Sequence, residues 1–193
     1  MDLPLLLTIL SSALFLTFFV VYNKDIIKWS IRPNLISWSL FSLITLINSL
    51  TYIFFTHNAF KAGLAFTDFF TCIVISCLIL FRKQYSKPNT FERTIIVLAV
   101  VSLISRYLFH SALYANLLLQ PAYILAFLPT IRNAWKHPQN ESALVWLMWA
   151  GCFVLNITVI ILLRNNVWAD LVNPLIALTL HASVWFLALR RYG

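Results

Sequence analysis

WSLFSLITLIN, residues 38–48, returns as WLMWAGCFVLN, residues 146–156, and the two stretches align without a gap at an offset of 108 residues. Trp38 falls on Trp146, Phe41 on Trp149 and Asn48 on Asn156. The same offset carries Lys24 onto Arg132, Lys28 onto Lys136, and the Arg82-Lys83 pair onto Arg190-Arg191. A register that holds at basic, aromatic and amide positions alike predicts a duplicated unit. Each copy contains three apolar segments, and one further apolar segment stands between the copies. In a membrane, an odd linker gives both copies the same orientation, as parallel repeats related by an axis along the membrane normal.

The composition places the chain in a bilayer. Of 193 residues, 61% are hydrophobic and 10% are charged, where a soluble domain carries roughly 25% charged residues. So few charges cannot cover a water-facing surface. The formal net charge of +8 would point to nucleic acid in a soluble protein, but in a membrane chain the location of charge matters more than its sum. Nucleic acid is therefore not an expected partner. The three cysteines, Cys72, Cys77 and Cys152, lie in apolar runs without metal-ligand spacing and read as packing residues. No metal and no cofactor is expected.

Seven segments approach the roughly 20 residues that cross a 30 Å hydrocarbon core. They cover about 3–23, 34–56, 62–82, 94–111, 114–134, 142–163 and 169–189. The predicted fold is all-α and polytopic, with two parallel three-helix repeats joined by a linker helix. The first repeat takes residues 1–92, the linker helix 93–112 and the second repeat 113–193. The first segment opens on Met1-Asp2 rather than a basic stretch and lacks a small-residue cleavage site, so it reads as a span, not a signal peptide.

Basic residues set the expected topology. Connections 1–2, 3–4 and 5–6 and the C-terminus hold 11 of the 14 Lys and Arg residues, leaving Lys61, Arg106 and Arg164 on the other side. By the positive-inside rule the N-terminus lies outside and the C-terminus in the cytoplasm. Headgroup contact and topology account for most of these residues.

The polar residues inside the spans gather at one depth. Counted at 1.5 Å per residue, Asn48, Asn156, Asp68 and Gln120 all lie roughly 21 Å from the cytoplasmic boundary. Ser12 shares that depth, Asn173 lies about one turn further out, and Thr71 and Thr179 about 3 to 5 Å further in. Polar groups at such depth are costly against lipid and should face the bundle interior. Two roles fit the amides: hydrogen bonds that glue neighbouring helices, or the lining of a hydrated substrate pocket.

Asp68 is the only acidic residue well inside a predicted span. A buried carboxylate must be paired, hydrated or protonated. It suits a polar or cationic substrate, a coupling proton, or a pair with a neighbour such as Arg106. His181, near the middle of the last span, is either a proton carrier or a hydrogen-bonded packing residue. Trp38 and Trp146 sit about 6 Å inside the cytoplasmic boundary, with Phe41 and Trp149 one turn later on the same faces. These rings form either an interface belt or an aromatic floor and inner gate beneath the polar zone. Pro129, like Pro121 and Pro174, removes a backbone donor within a span and marks a hinge.

The seven spans in a 3+1+3 order, the outside N-terminus and the basic loop led by Pro129 before Ser142 and a Trp-bearing helix together resemble the PQ-loop/SWEET superfamily. That group includes sugar facilitators, lysosomal amino-acid exporters and bacterial nicotinamide riboside transporters. The resemblance covers essentially the whole chain at the level of architecture. The Pro-Gln signature of span five stands here as Pro129-Thr130, and its place in span one is Val21-Tyr22. Trp146-x-x-Trp149 resembles the start of the W-x-x-W-x-x-x-N/D motif of the vitamin transporters, with Phe at position 153 and the Asn at 156. The pocket Asn of SWEET spans three and seven has Asn173 as one counterpart, and Asp68 or Thr71 as the other.

The resemblance implies a bacterial inner-membrane transporter that moves a small polar metabolite by alternating access between two three-helix bundles. Substrate contacts are then expected from Asn48, Asn156, Asp68, Asn173, Gln120, Trp149 and Phe41, gating or hinging from Trp38, Trp146 and Pro129, and proton coupling from Asp68 or His181. The lipid bilayer and the small solute are the expected partners, with oligomeric state left open. The alternative is a receptor or scaffold on the same fold that transports nothing. Enzyme chemistry is not expected: no zinc-protease, nucleophile-elbow or phosphate-loop motif occurs.

Overall fold

The computed structural model describes residues 3–51, 59–83, 85, 87–106, 112–163 and 167–192. Within them the chain forms seven α-helices: α1 (Leu3–Ile27), α2 (Leu35–Thr51), α3 (Ala59–Phe81), α4 (Thr90–Arg106), α5 (Ala112–Lys136), α6 (Ala143–Leu163) and α7 (Val167–Leu189). Short 3-10 turns follow at Pro138–Asn140 and Arg190–Tyr192. Among the described residues, three stretches are long and apolar enough to cross a membrane, Leu3–Ile27, Ala143–Leu162 and Leu171–Leu189, and shorter apolar stretches lie at Leu35–Leu50 in α2 and Phe66–Phe81 in α3. The expected span ends at 52–56 and 107–111, and Arg164, lie outside the described residues, as does the Arg106 side chain.

Local chemistry sets the helix ends. The α1 helix runs past the expected boundary at residue 23, through Lys24, and stops in a Schellman motif. There the Trp29 amide donates to Ile26 O (3.1 Å) and the Ser30 amide to Asp25 O (2.9 Å), with Trp29 itself left-handed at φ 60°. Asn34 caps α2, its Oδ1 accepting the amides of Ile36 (3.0 Å) and Ser37 (3.1 Å). The α4 helix starts at Thr90, ahead of the expected 94, because Asn89 and Glu92 form a reciprocal capping box. The Glu92 amide donates to Asn89 Oδ1 (3.0 Å) and the Asn89 amide to Glu92 Oε2 (2.9 Å).

The helices gather into two compact units. One takes residues 1–31 and 134–193, the other 32–133. The first unit packs α1 against α6 and α6 against α7; the second packs α2 against α3 and against α4. The units therefore cut across the sequence blocks 1–92 and 113–193, because α1 joins the last two helices rather than the two that follow it.

The surface is apolar where a soluble protein would be polar. Phe81 is 84% exposed, and Phe70, Val97, Val101, Ile104, Leu144, Ile161 and Phe186 are all more than half exposed. Among the described side chains of α4, only the stripe Glu92, Ile95 and Ala99 is buried, at the i, i+3, i+7 spacing of one helix face. Apolar surface this extensive marks a lipid-facing exterior. Hydroxyls along the helices are satisfied within their own backbone: Ser42, Thr45, Ser49, Thr71, Ser76 and Thr158 each donate to the carbonyl four residues earlier.

Candidate functional site

In the first unit, the aromatic residues of α6 form the packing centre. Trp146 and Trp149 are 0% and 1% exposed. Trp149 stacks on Phe15 of α1 with centroids 5.6 Å apart, and its indole Nε1 donates to Phe15 O (3.4 Å). Tyr22, two turns further along α1, approaches Trp149 at 5.2 Å and Trp146 at 6.3 Å. The Tyr22 hydroxyl donates to Glu141 Oε2 (2.8 Å), and the Trp146 indole donates to the same oxygen (2.9 Å). Glu141 is 0% exposed, placed just before the N-terminus of α6, where the helix dipole favours negative charge. Deeper in the unit, Ser11 Oγ donates to Cys152 O (3.2 Å) while Cys152 Sγ donates to Ser11 O (3.5 Å).

His181 of α7 lies within this aromatic group. Its ring is 4.8 Å from Phe153, 5.2 Å from Trp146 and 6.3 Å from Trp149. Nδ1 lies 2.7 Å from Ala177 O. A carbonyl oxygen has no proton to give, so Nδ1 carries the hydrogen. The imidazole is thereby anchored to its own helix and packed on rings.

The second unit repeats part of this arrangement. Trp38 and Phe41 of α2 are buried, edge to face at 5.5 Å and 84°; Trp146 and Trp149 meet at 5.3 Å and 90°. Phe41 contacts Tyr123 of α5 at 6.0 Å, and Tyr123 stands at the 108-residue offset from Phe15. The Phe15–Trp149 and Tyr123–Phe41 contacts thus join matched positions, the first stacked at 29° and the second edge-on at 61°. Phe127 adds a ring 4.5 Å from Phe41. All four α2 and α6 rings thus lie in the interior of their units.

Pro129 is buried within α5. Beside this break in the helix hydrogen bonds, the Thr130 amide donates to Ser37 Oγ of α2 (3.1 Å). A neighbouring helix thus satisfies the backbone near a proline, as the bilayer interior requires. Asp68 is half-buried on α3. Its Oδ1 accepts a long contact from Cys72 Sγ (3.6 Å), and its carboxyl lies within electrostatic range of the Tyr123 phenol.

The remaining expected residues are more scattered. Gln120 is buried in α5, whereas Asn48, Asn156 and Asn173 are half-buried. No hydrogen bond to these three Asn side chains is seen among the described residues. Thr179 is exposed, its hydroxyl turned back to Leu175 O (2.8 Å). Sequence reasoning missed Phe15, Tyr22, Tyr123 and above all Glu141, which falls in the connection between the fifth and sixth predicted spans. A lone Glu in an otherwise basic connection was the available signal.

Comparison with protein-family models, with curated proteins and with solved structures returned no match.

Proposed function

We propose that the chain is a membrane transporter of a small polar metabolite, with a duplicated, SWEET-like design in which the N-terminus faces outside. The observation that carries this reading is the ring contact repeated at matched positions, Phe15 on Trp149 and Tyr123 on Phe41. Asn156 lies seven residues beyond Trp149, and Asn48 seven beyond Phe41. Seven residues are two helical turns, so each amide follows on the ring-bearing face of its helix. Half-buried amides with no hydrogen-bond partner among the described residues are suited to a ligand or water, where fully satisfied ones would be structural glue.

Asn48, Asn156, Asn173 and Gln120 then supply donors and acceptors, Asp68 tunes charge, and Phe41 and Trp149 form the aromatic support. Alternating access between two three-helix bundles is the proposed mechanism. Uptake of labelled sugars, nucleosides, amino acids and vitamins into proteoliposomes tests the proposal. At least one solute should be taken up, and Asn48→Ala with Asn156→Ala, or Asp68→Asn, should reduce its uptake tenfold or more, a loss of about 1.4 kcal/mol. Uptake unaffected by all of these removes the site; no flux for any solute, with a partner retained through purification, favours a receptor.

A further inference from the structure

The search for further sites leads to one end of the first unit, where α5 gives its last turn to that unit. Trp135 lies in this turn and is 61% exposed, an unusual state for so large an apolar ring. Arg190, at the end of α7, lies across it: Cζ is 4.8 Å from the indole centroid. The Arg190 Nη1 also donates to Trp135 O (3.2 Å). Stacking and hydrogen bond together fix the plane of the guanidinium while leaving the rest of its fork open among the described residues. A planar fork held in advance loses little freedom when it grips a phosphate. An exposed indole beside it is suited to the level of lipid headgroups.

The surrounding charge has one sign. Lys136, His137 and Arg191 are exposed neighbours in sequence. The end of α1 is tied to the same end of the unit through Tyr22 and Glu141, whose amide bonds Pro138 O (3.3 Å). That brings in Lys24 and Lys28, both exposed. Of the acidic residues here, Glu141 is enclosed and committed to Tyr22 and Trp146, and Asp25 is half-buried. The 108-residue counterpart of Trp135 is Ile27 and that of Arg190 is Arg82, so the first half of the chain has the cation without the indole.

We propose that the Trp135–Arg190 pair is a binding site for the phosphate of an anionic phospholipid. The guanidinium engages the phosphate, the indole lies against the glycerol and upper acyl chain, and the nearby lysines supply the field. The site is independent of whether the chain transports anything.

Native mass spectrometry of the full chain in detergent, with added phosphatidylglycerol or phosphatidylcholine, tests this. Wild-type protein should retain phosphatidylglycerol in preference to phosphatidylcholine. Arg190→Ala should weaken that retention about tenfold or more, the loss of a charge-assisted hydrogen bond to the phosphate. Lys87→Ala, which removes the same charge from an exposed position in the other unit, should leave it within about twofold. Equal retention of the two lipids by wild type, or equal losses from Arg190→Ala and Lys87→Ala, would overturn the proposal.

Discussion

Tyr22 of α1 and Glu141, ahead of α6, are joined by a 2.8 Å hydrogen bond although 119 residues separate them in sequence. Trp146 donates to the same carboxylate oxygen, so one buried acid holds two helices. Tyr22→Phe removes a single donor and should cost about 1.5 kcal/mol. Glu141→Ala strands both donors in the interior and should cost about 3 kcal/mol. Thermal unfolding in detergent reads both; equal and negligible shifts would mean the carboxylate does not stabilise the pairing of α1 and α6.

The contact from the Thr130 amide to Ser37 Oγ makes a second test. Ser37→Ala removes the acceptor beside Pro129 and should lower stability by about 1–2 kcal/mol, the cost of an orphaned buried donor. Ser37→Thr keeps a hydroxyl and should lose less. Indistinguishable melting of the alanine variant and wild type would show that the amide finds another acceptor.

Ser11 and Cys152 touch reciprocally across α1 and α6, which offers a crosslink with one native partner. In a Cys77→Ala background, Ser11→Cys should form a disulfide with Cys152 under mild oxidation. If the compact units move as bodies, this bond leaves solute uptake within about twofold of the reduced protein, a free-energy change of about 0.4 kcal/mol. Loss of uptake on oxidation, restored by reductant, would show that α1 slides against α6 during the cycle.

Lys83 adopts φ 52° at the end of α3, a left-handed conformation that costs a side-chain-bearing residue roughly 1–2 kcal/mol. Lys83→Gly should therefore raise stability by about 0.5–1 kcal/mol. Unchanged or lower melting would mean that the lysine side chain compensates for its own strain.

Much of the helical pattern was legible because lipid demands it: long apolar runs and basic ends fix where spans begin and stop. The departures follow from hydrogen bonds that hydropathy does not see. The Asn89–Glu92 box starts α4 early, and its signature was there to be read. The burial of Glu141 left only a faint trace, a lone acid in a basic connection, since nothing adjacent to it in sequence discloses that Tyr22 will come to meet it. The α6 ring pair was visible as a motif, but its partner Phe15 was hidden among the many apolar residues of α1, which run all round that helix.

The pairing of α1 with α6 also dictates an order of assembly. Residues 32–133 form their unit from one continuous stretch, so it can close as soon as α5 has been synthesised. The α1 helix, by contrast, precedes that stretch and meets α6 only after it, so its packing waits until residues 143–163 have been made. Biogenesis of this pairing is thereby tied to α6, and a ribosome that stalls before residue 143 leaves α1 without that neighbour.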